Sequence, residues 1–586
     1  MPPKISRREL LKEGAKAAVA VSASAALAAE GEARQGRGTR RGGRRAGGET
    51  GGEAAAYARL DEYVRQHLRE AGAPGMTLAV ADGRGLLRAL TYGFADTKTR
   101  TPVRPETLFE IGSISKSFTA VLLLRLREAN RLDFGRPVRE YLPWLDLREN
   151  HGPVTTHHLL THTAGLQAVP LIPQCLAGTV ETYAAPGERF VYSNLGYLIL
   201  GLVAEAVDGR TFGESLRERV LRPLGMNSTA PVITNEARPR MAVGYGPLYD
   251  DRPRRARGPL AEAPWVDVDT AAGSVASTPA DMAAYIRMLV GRGRTPSSRL
   301  MSEESFELFT KPAVKAPFRG EEAEYACGLW VSRDGEGHTR LRHTGGMVAF
   351  SSSLDVDTDA GLGAFASVNA SLAGGYRPVA VTKYAVELLR AARAGTQLPD
   401  PPAPPPDPFE IKNAAEYAGA YASPDGKKTL RVVAEGARLF LLHAGRRVAL
   451  ERSGGSDSFV AAHPDFELYR LVFGREGERV VEAGHGPDWY AGERYAGPRR
   501  FDHPPEWDAF VGLYRNDSPW YGPARVVLRK GRLWLDGQGP LVPVGPQLFS
   551  LGPPERSYER LSFGALKGGR ALRMYYSTVE FYRTLL

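Results

Sequence analysis

The chain has 586 residues, of which 43% are hydrophobic and 24% charged, a composition that excludes a fibrous or largely disordered protein. Its length predicts several domains, and a cysteine content of two, Cys175 and Cys327, excludes a disulfide-stapled mini-domain or a cysteine-rich metal centre. The first fifty residues hold eleven basic and five acidic side chains, and the other 536 hold 65 and 61. Because the net charge of +10 comes mostly from the N-terminus, we expect no nucleic-acid partner. The two cysteines can pair in an oxidising compartment or remain free thiols.

The N-terminus has the features of an export signal in their usual order. Arg7 and Arg8 precede an alanine-rich, weakly apolar run, and residues 26–28 (Ala-Leu-Ala) offer a small-x-small cleavage site. This order resembles a twin-arginine signal, and an ordinary amphipathic helix is the alternative. We predict a signal peptide at 1–29, a Gly/Arg-rich linker at 30–53, and a periplasmic or secreted protein that meets the membrane only transiently, through this signal.

A proline-rich run at 398–408 divides the rest of the chain, because proline lacks an N–H donor and fixes φ. The upstream segment, 54–397, has a mixed helix and strand pattern. Downstream, short alternating strands and glycine turns predict two all-β units, at 409–500 and 501–586, each suited to a small closed antiparallel barrel.

The downstream units look like an internal duplication. Three pairs of short segments match in the same order along the two units. The matched pairs are 417–421 with 510–514, 436–441 with 531–535, and 468–474 with 558–564. Three ordered matches make chance similarity between aromatic strands the weaker explanation.

Upstream, Ser113 and Lys116 form an S-x-x-K pattern. Apolar residues at helical spacing, including Phe118, Val121 and Leu122, predict a helix, on which Lys116 lies beside Ser113. A helix N-terminus favours negative charge on the serine oxygen, and a buried lysine loses its charge readily, so Lys116 can accept the serine proton. The alternative is that Ser113 only caps a core helix and Lys116 is exposed.

A second pattern, Tyr192-Ser193-Asn194, precedes an apolar helix predicted at 195–206. A phenol beside a lysine can act as a base or an acid, and the Asn194 amide can hold a substrate carbonyl and a lysine at once. The alternative is a helix cap with a packed tyrosine.

A third pattern, His343-Thr344-Gly345-Gly346, lies between strand-like stretches. Consecutive glycines on an edge strand allow a ligand to approach the backbone closely. We therefore expect the backbone N–H groups of Gly346 and Ser113 to stabilise an oxyanion together. A tight hairpin turn with an incidental histidine is the alternative.

The S-x-x-K, Y-S-N and H-T-G patterns, in this order, resemble the serine β-lactamase and penicillin-binding-protein superfamily, particularly class C β-lactamases, D-aminopeptidases and related esterases. Segments 161–166, 223–226 and 272–281 agree, the last with Thr278 and Asp281 placed as a capping box. The resemblance covers residues 54–396. It implies an α+β fold: a β-lactamase/transpeptidase-like catalytic domain, with an antiparallel sheet and flanking helices, followed by two small antiparallel barrels.

The resemblance also implies a site and an activity. The implied residues are catalytic Ser113, Lys116 and Tyr192, substrate-binding Asn194, His343, Thr344 and Gly345, and an oxyanion hole formed by the N–H groups of Ser113 and Gly346. We expect an exported serine hydrolase that forms an acyl-enzyme and cleaves small esters or amide and peptide bonds, in the manner of D-aminopeptidases, esterases or DD-peptidases. The alternatives are a β-lactamase, or a sensor that binds penicillin or peptidoglycan without turnover.

One residue departs from the pattern of penicillin-acting members, which usually carry lysine where this chain has His343. A neutral imidazole binds a carboxylate more weakly than lysine does, so we expect better activity on small esters or D-aminoacyl amides than on penicillins. Small molecules, peptides and peptidoglycan fragments are the expected partners. Although His158 and His162 are four residues apart, the H-E-x-x-H pattern is absent, and we expect no metal and no cofactor.

Overall fold

A computed structural model describes residues 51–171, 173–316, 323–455 and 457–584. The predicted signal peptide, with Arg7 and Arg8, and residues 30–50 lie outside the described residues. In the part of the chain that the structure describes, the first helix begins at Gly51, so the last three residues of the linker expected at 30–53 are helical instead. Within the described ranges, no helix combines the length and apolar character that crossing a membrane requires.

Helices flank a large sheet in the N-terminal two thirds of the chain, and a π-helical turn, Arg217–Leu221, joins two of them. The α-helices are α1 (Gly51–Ala71), α2 (Ser115–Glu128), α3 (Val138–Tyr141), α4 (Thr156–Leu160), α5 (Asn194–Asp208), α6 (Phe212–Leu216), α7 (Arg222–Leu224), α8 (Pro279–Val290), α9 (Glu303–Thr310) and α10 (Val379–Ala394). Short 3-10 turns are Gly112–Ile114, Pro173–Ala177, Arg238–Arg240, Ala373–Gly375, Ala414–Glu416 and Pro505–Phe510.

The strands of this region form one nine-stranded antiparallel sheet and three short pairs. They are β1 (Gly75–Asp82), β2 (Gly85–Asp96), β3 (Thr101–Pro102), β4 (Phe109–Glu110), β5 (Leu147–Arg148), β6 (Val180–Glu181), β7 (Tyr245–Pro247), β8 (Leu260–Glu262), β9 (Ala276–Ser277), β10 (Val314–Lys315), β11 (Glu324–Tyr325), β12 (Trp330–Arg333), β13 (Thr339–Gly346), β14 (Ser351–Asp357) and β15 (Leu362–Val368). The large sheet has the order β10-β11-β12-β13-β14-β15-β1-β2-β3, and the pairs are β4-β9, β5-β6 and β7-β8. This arrangement confirms the predicted antiparallel sheet with flanking helices.

The sheet buries both faces because helices cover each of them. Helices α1 and α10 pack together on one face, where Leu60, Val64 and Leu388 join the core formed with β1 and β15. Helix α8 packs on the other face. Helix α2 lies deep in the main core, and its apolar residues Phe118 and Val121 are fully buried, as their spacing predicted.

The cap of α8 differs from the sequence prediction. The Thr278 hydroxyl accepts from the Asp281 N–H, as expected of an N-cap. The Asp281 carboxylate does not complete a capping box, because it accepts from the N–H groups of Ser228 and Thr229 and from the Thr229 hydroxyl. It thereby joins the helix start to the segment after α7.

Two closed eight-stranded antiparallel barrels follow, which confirms the predicted all-β region. The first contains β16 (Gly419–Ala422), β17 (Thr429–Glu435), β18 (Arg438–His443), β19 (Arg446–Arg452), β20 (Ser458–Ala461), β21 (Leu471–Glu476), β22 (Arg479–His485) and β23 (Asp488–Gly492). The second contains β24 (Gly512–Arg515), β25 (Ala524–Arg529), β26 (Arg532–Leu535), β27 (Gly539–Gly545), β28 (Leu548–Leu551), β29 (Arg560–Lys567), β30 (Arg570–Tyr576) and β31 (Val579–Arg583).

The barrels repeat one local interaction at equivalent positions. Tyr421 donates its hydroxyl to the Tyr417 carbonyl at 2.8 Å, and Tyr514 donates to the Phe510 carbonyl at 2.8 Å. The matched segments fall on the first, third and sixth strands of each barrel. The first barrel encloses its own apolar core, whereas the core of the second is continuous with the main core of the sheet and helices.

The proline-rich run between the sheet region and the barrels contains no helix or strand from 398 to 407. Tyr384 on α10 donates to the Pro399 carbonyl at 3.2 Å, and Arg438 on β18 pairs with Asp407 at 2.7 Å. The run is therefore held at both ends.

Candidate active site

Ser113 and Lys116 meet at the start of α2. Ser113 lies in the 3-10 turn Gly112–Ile114, which leads directly into the helix. Its Oγ lies 3.1 Å from the Lys116 Nζ. Ser113 does not cap α2, because Ile114 occupies the N-cap position without a side-chain hydrogen bond. Ser113 is partly exposed and Lys116 is fully buried, which excludes the alternative of an exposed lysine.

The Lys116 amine has three oxygen neighbours. Besides Ser113 Oγ, its Nζ lies 2.7 Å from Asn194 Oδ1 and 2.9 Å from the Ala272 carbonyl. Burial lowers the pKa of Lys116 well below its ordinary value. A neutral amine has two N–H donors and one lone pair. Since an amide oxygen and a backbone carbonyl only accept hydrogen bonds, the neutral form of the amine directs its two N–H groups to Asn194 and Ala272 and its lone pair to the Ser113 hydroxyl.

Aromatic rings surround the lysine. The ring centroids of Tyr192 and Tyr197 lie 5.0 Å and 5.3 Å from Lys116 Nζ. The Tyr197 hydroxyl donates to the Leu160 carbonyl at 2.8 Å, which directs it away from the site. Tyr192 is therefore placed beside the Ser113–Lys116 pair, as the sequence predicted.

His162 supports the segment that carries Tyr192. Its Nδ1 accepts from the Ser193 N–H at 3.1 Å, and its ring centroid lies 4.2 Å from that of Tyr192. Burial lowers the pKa of His162 well below its ordinary value, with Lys116 and His343 adding to the effect, so this ring packs as a neutral imidazole. His158 Nδ1 accepts from the Thr155 N–H instead, so His158 and His162 serve different local structures.

Ser193 and Asn194 show that the two alternatives for this segment, a helix cap and a part of the active site, both apply. Ser193 caps α5 by accepting from the Gly196 N–H, and it donates its hydroxyl to the Gln167 carbonyl at 2.6 Å. Asn194 is the first residue of the helix, so its amide is fixed where Lys116 reaches it. The helix cap therefore helps to build the site.

Strand β13 brings the third pattern to Ser113. The sequence analysis expected an edge strand here, but β13 is an interior strand. It lies between β12 and β14. Its pairing with β12 ends at Trp330 and Arg342, so residues 343–346 run past the end of that neighbour. Only this last part of an interior strand is open on the site side.

The glycines of β13 let this strand lie directly against the Ser113 turn. A Cβ on Gly345 would lie 1.9 Å from the Ile111 carbonyl oxygen, and a Cβ on Gly112 would lie 2.8 Å from the Gly346 nitrogen. Gly112 has a φ of +52°, in the left-handed region that favours glycine. The Gly346 nitrogen is thus adjacent to the turn that carries the Ser113 N–H, where both can face a substrate oxygen.

His343, which the sequence analysis expected to bind the substrate, has both ring nitrogens next to protein groups. Its Nδ1 lies 2.8 Å from the Thr344 carbonyl, which can only accept, so Nδ1 carries a proton. Its Nε2 lies 3.2 Å from the Tyr325 hydroxyl, with which it shares a hydrogen bond. Both nitrogens therefore have partners within the protein, and the ring is buried. Thr344, by contrast, is partly exposed.

The sequence analysis missed several contributors, because nothing local indicates them. They are the Ala272 carbonyl, Tyr197, Tyr325 and the supporting role of His162. The second barrel also reaches this region. Gln167 donates to the Tyr558 carbonyl at 2.9 Å, and the Ala168 N–H donates to the Glu559 carboxylate at 2.8 Å.

The two cysteines remain apart as free thiols in the structure. The Cys175 sulfur lies 3.8 Å from the Tyr521 hydroxyl, and the Cys327 sulfur lies 3.6 Å from the Leu308 carbonyl. Of the two possibilities left open by the sequence, the structure contains the unpaired one.

A family model described as beta-lactamase matches residues 60–388, more than half of the chain. The chain belongs to the beta-lactamase family. This confirms the resemblance drawn from the three patterns, and it places the chain among proteins that are typically serine hydrolases.

The sequence identity of the chain to individual relatives is low. The chain is 28% identical to penicillin-binding protein 4 of Amycolatopsis lactamdurans, over 60% of this chain and 94% of that protein. It is 25% identical to the unguisins hydrolase of Aspergillus campestris, over 73% of this chain and 86% of that protein. The octameric penicillin-binding protein homologue from Pyrococcus abyssi has a TM-score of 0.52 and 23% identity, covers 74% of this chain and 99% of its own, and supports the fold alone.

Proposed function

We propose that the protein is an exported serine hydrolase that forms an acyl-enzyme on Ser113 and cleaves small esters or amide and peptide bonds. The hydrogen bonding of Lys116 carries this proposal. Two fixed acceptors, Asn194 Oδ1 and the Ala272 carbonyl, leave the lone pair of the neutral amine to the Ser113 hydroxyl. A base in contact with a partly exposed hydroxyl is the arrangement that nucleophilic catalysis requires.

The proposed reaction starts when Lys116 takes the Ser113 proton and the serine oxygen attacks the substrate carbonyl. The resulting oxyanion lies between the N–H groups of Ser113 and Gly346. Lys116, with Tyr192 beside it, returns the proton to the leaving group as the carbon–leaving-group bond breaks. Asn194 and the end of β13, including Thr344 and Gly345, bind the substrate on either side of the reacting carbonyl. Water then hydrolyses the acyl-enzyme.

The surroundings of His343 support the choice of substrate. A lysine would offer a permanent charge to a carboxylate beside the scissile bond, whereas the His343 ring directs both nitrogens at protein groups. We therefore expect kcat/KM to be higher for small esters or D-aminoacyl amides than for penicillins. Peptidoglycan fragments are candidate substrates, because the relative from Amycolatopsis lactamdurans is named a penicillin-binding protein.

The test uses the full chain and its Ser113→Ala variant, with Ser298→Ala as a control on an exposed serine outside the site. A chromogenic ester should give steady turnover and an acyl adduct on the wild type and on Ser298→Ala. Ser113→Ala should lose the adduct and at least ~10³-fold of the turnover. Full activity of Ser113→Ala would refute the mechanism.

The same assay separates the alternatives. A burst of acylation by labelled penicillin and by the ester, without turnover of either, would favour a sensor. Efficient cephalosporin hydrolysis with negligible esterase activity would favour a β-lactamase.

Export is a separate part of the proposal, and it rests on Arg7, Arg8 and the alanine-rich run. Expression in a host with twin-arginine transport should give a mature N-terminus near Ala29. Recovery of the chain with Met1 intact in the cytoplasmic fraction would contradict it.

A further inference from the structure

A cavity of about 160 Å³ is lined in part by residues that are close in the chain to Ser113 and Gly346. Glu110, which precedes Ser113 by three residues, lines one side, and Val348, which follows Gly346 by two residues, lines another. Because consecutive Cα atoms are 3.8 Å apart, the Glu110 Cα lies within about 11 Å of the Ser113 Cα. Short chain segments thus connect the wall of this cavity to the Ser113 turn and to Gly346.

Aromatic and aliphatic side chains form most of the wall. Trp265 and Phe350 belong to the sheet region, and Trp520 comes from the loop between β24 and β25 of the second barrel. The Trp265 indole N–H donates to Asp267 at 2.6 Å, which fixes this ring in place. The cavity is thus completed by a residue more than 400 positions away from Ser113.

The Glu110 carboxyl is the polar group that stands out in this wall. Its backbone carbonyl accepts from the Ser367 hydroxyl at 3.0 Å, but among the described residues its side-chain oxygens have no hydrogen bond or ion pair. Burial raises the pKa of Glu110 to about 8. A carboxyl that lies in a largely apolar cavity without a protein partner is costly to ionise, and a ligand that supplies the partner recovers that cost.

The other charged groups of the wall are differently placed. Glu262 and Arg238 are exposed at the surface of the cavity. The Arg238 guanidinium carbon lies 5.2 Å from the centroid of the Trp265 ring, so this face of the indole already holds a cation in the structure. The charges of Arg238 and Glu262 offset one another. The Glu110 carboxyl is therefore the group that determines which ligand charge the cavity prefers.

We propose that this cavity is a substrate subsite for a primary ammonium group on an apolar or aromatic stem, with the Glu110 carboxylate pairing with the ammonium and Trp265, Phe350 and Trp520 packing against the stem. The subsite rests on the proposed function, and its place next to the oxyanion position is part of the inference, drawn from the short chain distance of Glu110 from Ser113 and of Val348 from Gly346. A neutral apolar group would leave Glu110 without a partner, and an anion would disfavour ionisation of the carboxyl and gain no charge pair with it. An ammonium gains a charge-assisted hydrogen bond and the attraction of aromatic faces.

Binding carries a defined proton balance. At neutral pH the unoccupied carboxyl holds its proton, because its pKa lies near 8. The ammonium stabilises the carboxylate, so the carboxyl proton leaves to solvent as the pair forms. Binding of the cation should therefore release close to one proton, whereas binding of a neutral ligand should release none.

The experiment is isothermal titration calorimetry with benzylammonium and its neutral analogue benzyl alcohol, in buffers of different ionisation enthalpy. The protein is the full chain carrying Ser113→Ala, so no turnover is needed and failure of the proposed mechanism does not affect the result. The variants are Glu110→Gln, Glu262→Gln as the exposed-carboxylate control, and Trp520→Leu.

We expect benzylammonium to bind at least ~10-fold more tightly than benzyl alcohol, with proton release. Glu110→Gln should remove that preference and the released proton, while Glu262→Gln changes the Kd by less than ~3-fold. Trp520→Leu should weaken both ligands by about 3- to 10-fold, and it tests the site if Glu110→Gln does not fold. Equal binding of the two ligands, or an equal loss in both glutamate variants, would overturn the proposal.

A second measurement connects the subsite to catalysis. The 6-aminohexanoate and hexanoate esters of 4-nitrophenol differ only in the terminal ammonium. With an active chain, kcat/KM should favour the aminohexanoate ester, and Glu110→Gln should lower that ratio at least ~10-fold. Turnover of both esters at an equal rate would refute the subsite and leave the proposed hydrolase intact, whereas turnover of neither would refute the hydrolase.

Discussion

Replacement of Lys116 by methionine tests the central feature of the site. Methionine keeps a similar apolar stem but removes the amine, so Ser113 loses its base. A positioned general base contributes about 10²–10⁴-fold to rate, and at ~1.4 kcal/mol per factor of ten this is about 3–6 kcal/mol of barrier. We therefore expect acylation by a chromogenic ester to slow by that factor in Lys116→Met.

The same substitution has a second effect, on stability. Asn194 Oδ1 and the Ala272 carbonyl lose their donor, at about 1–3 kcal/mol for each acceptor left without a partner. Removing the buried amine recovers part of this cost. The wild-type lysine has a folded-state pKa below its unfolded value of 10.5. The unfolded chain therefore binds more protons between those values, and wild-type stability rises with pH there. Lys116→Met should lack that rise.

The assay is stopped-flow acylation as a function of pH, together with urea unfolding. Wild-type acylation should fall on the acid side as Lys116 becomes protonated, with a midpoint well below 10.5 because burial lowers its pKa. Lys311→Met, at an exposed lysine, is the control and should change neither measurement. A folded Lys116→Met protein whose acylation rate stays within ~10-fold of wild type would refute the assignment of Lys116 as the base.

Three further predictions concern the scaffold. Asp208→Asn should lower the free energy of unfolding by about 2 kcal/mol near neutrality, because hydrogen bonds, above all the one from Arg219, hold the Asp208 pKa at about 2. This contribution to stability is present above the unfolded pKa of 3.8 and is lost as the pH falls through 2. Urea unfolding at neutral and at acid pH measures it. Gly345→Ala should destabilise by more than ~2 kcal/mol and abolish activity, since its Cβ meets backbone, whereas Gly346→Ala should be milder because its Cβ meets a flexible guanidinium; thermal unfolding with ester assays compares them. Glu559→Gln should lower kcat/KM about 3- to 10-fold and the free energy of unfolding by ~1–2 kcal/mol, because the Glu559 carboxylate accepts a hydrogen bond from the Ala168 N–H near the site. Unchanged kinetics would show that the second barrel does not position the loop that carries Ala168.

The sequence determined the parts of the site that depend on near neighbours along the chain. A separation of three positions, with helical geometry, places Lys116 next to Ser113. The apolar residues that follow bury the helix. The cap at Ser193 fixes Asn194 at the start of α5 in the same local way. The duplicated segments also predicted two equivalent barrels, because alternating strands and glycine turns specify such units through short-range pairing.

The tertiary structure alone decided the contacts between distant segments. The Ala272 carbonyl is one of the acceptors that orient the neutral lysine, and it is 156 residues from Lys116. His343 was expected to face the substrate, but Tyr325 occupies its Nε2. Strand β13 became an interior strand that is open only where it outruns β12, and Trp520 of the second barrel closed the cavity beside Glu110. The local sequence pattern does not predict these long-range contacts, because each depends on how whole layers pack and on where one strand ends relative to its neighbour.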